Sequence, residues 1–107
     1  MNITFDEFKK LDIRVGKILS AEKIEGTDKL LKLEVDFSDF RRQIVSGIAQ
    51  FYKPEDLVGK LSPFILNLEP RVMRGVESQG MLMAVDVDGK AVLLKPLKKV
   101  PAGSAIG

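Results

Sequence analysis

The sequence contains no cysteine, no histidine and no tryptophan. Without Cys there is neither a disulfide framework nor a thiolate nucleophile. Without His the chain lacks the commonest general base and the commonest metal ligand. Aromatic residues are sparse, with six Phe and one Tyr, so the chain is poorly supplied with rings on which splayed bases could stack. No apolar run approaches the roughly 18 residues that a membrane-crossing helix needs. The segment Met1-Asn2-Ile3-Thr4-Phe5-Asp6-Glu7 is acidic and lacks the apolar core of a secretory signal. These absences predict a cytoplasmic protein with no catalytic centre, no metal site, no cofactor and no membrane partner.

What remains is ordinary in bulk. A length of 107 residues, 45% hydrophobic and 30% charged, suits one folded domain over residues 1–107. The formal charge of +2 is too small to imply nucleic-acid binding. Its distribution is uneven: residues 1–66 hold 11 basic and 11 acidic side chains, and residues 67–107 hold 6 and 4. The excess of positive charge therefore lies in the last part of the chain.

Local patterns predict a β-rich fold. Thr4 and Glu7 fit a capping box opening a short helix, with Phe5, Phe8 and Leu11 on one side. Ile13 to Ile24 reads as a long strand with a bulge or bend at Gly16. Leu31, Leu33, Val35 and Phe37 alternate with Lys32, Glu34 and Asp36, the clearest strand in the chain. Arg41 to Ser46 makes a third strand. Pro54-Glu55-Asp56-Leu57 resembles a helical turn, closed by Gly59. Leu61 to Leu68 is the fourth strand, and Met81 to Val87 with Ala91 to Lys95 forms a hairpin around Asp88-Gly89. Residues 96–107 read as an irregular tail. Five strands with a short helix between the third and fourth predict an all-β, five-stranded Greek-key barrel of the OB type. An SH3-like barrel is the alternative, although it usually lacks the mid-chain helix.

Between the fourth strand and the hairpin lies Asn67-Leu-Glu-Pro-Arg-Val-Met-Arg-Gly-Val-Glu-Ser-Gln-Gly-Met81. So polar a connection between apolar runs is expected at the surface, where binding residues collect. Arg71 and Arg74 offer planar forks for phosphate, and Asn67, Ser78 and Gln79 offer uncharged hydrogen bonds. An exposed pair of either arginine with Glu69 or Glu77, worth ~0–1 kcal/mol, would explain little. Nothing in the stretch is equipped to break a bond.

Four ordered blocks carry a resemblance over nearly the whole chain. They are Leu11-Asp-Ile-Arg-Val-Gly16, Gly26-Thr-Asp-Lys-Leu30, Ile44-Val-Ser-Gly-Ile48 and the Asn67–Met81 stretch. Together they resemble the tRNA-binding domain shared by the C-terminal appendage of methionyl-tRNA synthetases, free-standing dimeric tRNA-binding proteins and the endothelial monocyte-activating polypeptide group. In place of the His-Pro-Asp-Ala turn of many members, this chain has Ile24-Glu-Gly-Thr27.

The resemblance implies an OB barrel that binds tRNA largely by shape and backbone, usually as a homodimer. It implies fusion to, or association with, a methionyl-tRNA synthetase catalytic chain. It implies RNA-facing roles for Asn67, Arg71, Arg74, Ser78 and Met81, and for Lys29, Arg42 and Ser46. From the residues alone, core filling is the more common role for Met81, and Lys29 reads equally as the partner of Asp28. A chaperone-like branch that binds peptides on the same barrel is the rival reading. For the dimer interface the expectation is the apolar side of Ile3, Phe5 and Phe8 with Val92, Leu93, Leu94, Leu97 and Val100, which one small barrel cannot easily cover.

Overall fold

A computed structural model describes all 107 residues. A capping box opens α1 (Phe5–Lys9): the Thr4 hydroxyl accepts from the Glu7 amide at 3.1 Å, and the Glu7 carboxylate accepts from the Thr4 amide at 3.1 Å. The helix is short, and its apolar side is largely uncovered: Phe5 is 70% exposed, with Phe8 stacked beside it and the Lys9 ammonium 5.5 Å from its ring centre.

Strands β1 (Ile13–Lys23), β2 (Leu31–Asp36) and β3 (Arg41–Ser46) form an antiparallel meander. After α2 (Pro54–Leu57) the chain returns in β4 (Leu61–Ile65), which pairs with the first half of β1. The spatial order β4-β1-β2-β3 is that of a Greek key. The polar stretch then forms a small hairpin, β5 (Arg71–Met73) and β6 (Val76–Ser78), before β7 (Met81–Leu82) pairs with β4. A second hairpin, β8 (Ala84–Val87) and β9 (Lys90–Leu93), turns at Asp88-Gly89. The result is a nearly closed five-stranded antiparallel barrel of the OB type. No helix is long and apolar enough to cross a membrane.

Alternation decides what fills the barrel. Leu31, Leu33 and Val35 are fully buried and meet Ile18, Ile44, Phe64 and Leu82, with Leu57 of α2 closing one end. Phe37 and Phe64 meet edge to face at 5.6 Å between ring centres, worth about 0.5–1.5 kcal/mol beyond burial. Gly16 is not the bulge. The register of β1 on β2 shifts between Ile18 and Ser20, leaving Leu19 as the extra residue. Gly16 instead lets β2 approach closely: a Cβ there would sit 2.5 Å from Val35 Cγ1 and 2.6 Å from Phe37 Cε1.

The tail is better fixed than its Pro and Gly content suggests. The Gly103 amide donates to Val15 O (2.7 Å), the Val15 amide to Ser104 O (2.9 Å) and the Ile106 amide to Ile13 O (2.8 Å). Residues 103–106 thus cover the free edge of β1, with Ala105 opposite Arg14.

Candidate nucleic-acid interface

An OB barrel binds oligonucleotides on its second and third strands and on the loops at their end, those after the first and fourth strands. Here those loops are residues 24–30 and the insert that forms the β5–β6 hairpin.

The hairpin turns through Arg74-Gly75, whose φ values are 52° and 79°. Two consecutive positive φ values between paired residues Met73 and Val76 are what a type I′ turn demands. Glycine meets that demand freely; arginine does so at about 1–2 kcal/mol. Strain of this kind collects at binding sites. Arg74 thereby stands at the exposed tip, and Arg71 is exposed at the foot of β5. Neither guanidinium lies within 4.0 Å of a carboxylate, because the chain's two ion pairs are Arg14–Asp12 and Lys32–Glu22. Glu69 and Glu77 do not neutralise them.

The same segment closes the barrel. Beyond β2, the outer edge of β3 would present free amides. Instead the Gln79 amide donates to Gln43 O (2.8 Å), and Gln79 Oε1 accepts from the Gln43 amide (3.1 Å). Ser78 Oγ accepts from the Val45 amide (2.9 Å) while donating to Gly80 O (2.9 Å). Gln43 Nε2 donates to Glu77 O (2.8 Å). Side chains here complete a ladder that backbone alone leaves open.

Several residues expected to face RNA belong to this scaffold. Ser78 is 2% exposed, and its hydroxyl is spent on Val45 and Gly80. Asn67 is exposed, but Oδ1 accepts from the Asp12 amide (2.7 Å) and Nδ2 donates to Lys10 O (2.5 Å), tying the end of β4 to the α1–β1 joint. Arg42 lies on the inward row of β3, opposite Val35. Its guanidinium donates to Leu66 O and Gln79 O, both at 3.0 Å, and covers the Phe40 ring at 5.2 Å. Ser46 shares that row opposite Leu31 and is half-buried. In the pair Arg41-Arg42 it is therefore Arg41 that points outward.

Lys29 is exposed in the β1–β2 loop, where its amide donates to Thr27 Oγ1 (3.2 Å) and its carbonyl accepts from the Ala49 amide (3.0 Å). It forms no pair with Asp28. Met81 is 45% exposed, so it is not core filling, whereas Met83 is partly covered. Gln43 had no sequence signal, because its role is a contact 36 residues away. Phe51 and Tyr52 precede α2, and the Tyr52 hydroxyl accepts from the Leu93 amide (3.0 Å). No three acidic side chains gather into a metal-binding cluster.

The apolar residues predicted for a dimer contact fall in two groups. Ile3 and Phe5 are exposed beside α1, with Phe8 half-covered. Val92, Leu94 and Leu97 are exposed at the other end of the β1–β4 ladder, and Val100 is half-buried. Leu93 packs toward the core instead. Val85, paired with Val92, and Val87 join the second group on the outer face of the β8–β9 hairpin.

Known proteins resemble this chain closely. A family model described as "Putative tRNA binding domain" matches residues 13–105. Methionine–tRNA ligase of Methanothrix thermoacetophila is 60% identical over 104 residues, covering 97% of this chain and 15% of the ligase. The Archaeoglobus fulgidus ligase is 52% identical, covering 97% and 16%. The chain thus spans about one sixth of the length of these curated relatives. Among solved structures, a MetRS-related protein from Pyrococcus horikoshii superposes with a TM-score of 0.95 at 44% identity, covering 100% of this chain and 99% of that one. The chaperone CsaA from Bacillus anthracis superposes at 0.90 with 30% identity, covering all of both chains. With 93 consecutive residues matched and an arginine-tipped hairpin set on an OB barrel, the chain belongs to the tRNA-binding domain family.

Proposed function

We propose that this domain is a non-catalytic tRNA-binding module that grips the outside of folded tRNA through its sugar–phosphate backbone. The observation that carries this is Arg74, held in a left-handed turn at an exposed tip with no carboxylate to neutralise it. Arg71, Arg74 and Lys29 act as phosphate contacts, and Met81 supplies an apolar contact beside them. Asn67, Ser78 and Arg42 contribute by fixing the hairpin and β3, and half-buried Ser46 offers a hydroxyl to the RNA from the end of β3. The scarcity of free aromatic rings favours recognition of shape over reading of splayed bases.

The similarity to methionine–tRNA ligases supports a role in protein synthesis, fused to or associated with a methionyl-tRNA synthetase catalytic chain, in the cytoplasm. The module acts as a homodimer through the Ile3, Phe5 and Phe8 side and the Val92, Leu94, Leu97 and Val100 side. Two copies let one tRNA engage both, which raises affinity through effective concentration. Sedimentation equilibrium at micromolar concentration is expected to show dimer; monomer alone would reject that part.

Binding measured against salt tests the main reading. Each lost phosphate contact lowers the log–log salt slope by about 0.7–0.9, so Arg71→Ala with Arg74→Ala is expected to lower it by about 1.4–1.8. An unchanged slope removes both arginines from the interface. The CsaA likeness supports a second reading, peptide binding on the same barrel. Under it, unfolded peptide would compete with tRNA and the arginine variant would keep its peptide affinity.

A further inference from the structure

A groove of about 1190 Å³ lies away from the arginine hairpin. One wall is α2 and its exit, and the other is the loop of residues 94–102. Five lysines line it: Lys17, Lys60, Lys95, Lys98 and Lys99. All five are exposed, and none is within 4.0 Å of a carboxylate. Three acids, Asp36, Glu55 and Asp56, line it too. From residue 89 to the end the chain has four lysines and no acid.

The loop is fixed at both ends. Leu94 O accepts from Ser62 Oγ (2.9 Å) and the Leu93 amide donates to the Tyr52 hydroxyl, while the Gly103 amide is bonded to Val15 O. Pro96 and Pro101 restrict φ between those anchors. Lys95, Lys98 and Lys99 are therefore carried by a preorganised backbone, which lowers the ordering cost of a contact.

We infer that this lysine loop is a second strip for nucleic-acid backbone, engaging a stretch of the tRNA distinct from the one at Arg71 and Arg74. It rests on the tRNA-binding reading. Lysine is a point charge suited to phosphate without base preference. The only aromatic side chain in the groove, Tyr52, has its hydroxyl committed to Leu93, so the strip holds backbone and does not stack bases. The acids on and near α2 repel phosphate and confine it to the loop wall. The hairpin follows the last residues of β4 and the lysine loop is tied to Ser62 near its first, so the two strips meet separate parts of a folded RNA.

The test is the triple variant Lys95→Gln, Lys98→Gln, Lys99→Gln, titrated with unfractionated tRNA between 50 and 200 mM salt. At ~0.7–0.9 per contact the slope is expected to fall by about 2.1–2.7, so wild type should lose about 20- to 40-fold more affinity than the variant across that range. These exposed, unpaired lysines leave the melting temperature nearly unchanged. Because Leu94, Leu97 and Val100 of the same loop belong to the proposed dimer side, sedimentation is expected to show the variant in the same oligomeric state as wild type; a slope lost only together with the dimer would overturn the strip. Bound tRNA is expected to protect the three lysines from an acetylating reagent. If the triple variant keeps the wild-type slope and tRNA leaves the lysines reactive, the lysine strip is wrong, whatever the arginine variant does. If the arginine variant alone loses slope, the tRNA-binding reading survives; if neither variant does, both fail.

Discussion

Ser78→Ala is the sharpest single test of how the interface is built. Two tasks compete for this hydroxyl: touching RNA, or completing β3. Its 2% exposure and its two 2.9 Å bonds, from the Val45 amide and to Gly80 O, assign it the second. Val45 is 4% exposed, so water cannot easily replace Oγ as acceptor. A buried amide left unsatisfied costs about 1–3 kcal/mol. The Gly80 carbonyl adds less, since under-satisfied carbonyls are tolerated better.

Taking about 2 kcal/mol, at roughly 4–8 °C per kcal/mol for a domain of this size, the melting temperature should fall by about 8–16 °C. A domain stable by about 5–15 kcal/mol remains folded at 25 °C, so tRNA binding stays measurable. The Val45 amide should exchange much faster with solvent. Affinity should weaken because the hairpin is held less firmly, and the salt slope should not move, because no phosphate contact is lost. A variant that melts within a degree of wild type yet loses tRNA binding would refute the reasoning and put Ser78 at the RNA surface.

Three further outcomes follow from the geometry. Gln79→Ala removes a side-chain acceptor from the β3 edge, so the Gln43 amide should lose exchange protection and stability should drop by about 1 kcal/mol in chemical denaturation. Gly16→Ala forces a Cβ to within 2.5 Å of Val35 Cγ1, an overpacking expected to cost about 1–3 kcal/mol; an unchanged denaturation midpoint would mean β1 and β2 are not so close. Val92→Asp with Leu97→Asp, both at exposed positions, should convert a dimer to monomer in sedimentation while leaving the barrel's melting cooperative, and should weaken tRNA binding through lost avidity.

Features that depend on near neighbours were readable from the chain. The alternation from Leu31 to Asp36 gave β2 and its buried face, and Thr4 with Glu7 gave the helix start. The third strand runs over the residues expected of it, Arg41 to Ser46. The β5–β6 hairpin escaped notice because its turn is Arg-Gly, not the Asn-Gly or Asp-Gly that favours two positive φ values. The role of Gly16 is not legible locally because its cause, the ring of Phe37, sits just past the end of β2. Among the site residues, Arg71 and Arg74 were legible as guanidinium groups in a polar connection. The scaffold roles of Asn67 and Ser78 were not, since their partners Asp12 and Val45 lie 55 and 33 residues away. Side-chain chemistry announces that a residue can form a hydrogen bond; only the fold decides with what.

That distinction bears on how such a surface works. Between Asn67 and Met81, one set of side chains faces the protein and another faces out. Asn67, Ser78 and Gln79 hold the segment to the α1–β1 joint and to β3. Arg71 and Arg74 are left exposed and unpaired. A guanidinium on a loose loop would lose rotamer and backbone freedom on meeting phosphate, at roughly 0.5–1.5 kcal/mol per side chain. Anchoring the hairpin to a barrel edge moves part of that cost from binding to folding. The strained φ at Arg74 belongs to the same exchange: the ladder from Met73 to Val76 holds a conformation that a free chain would rarely visit. Replacing Arg74 by glycine should therefore relax the turn and stabilise the domain slightly, while lowering the salt slope by about 0.7–0.9. A gain in stability coupled to a loss of binding is the signature of strain kept for a contact; a loss of both would mean that the side chain supports the fold instead.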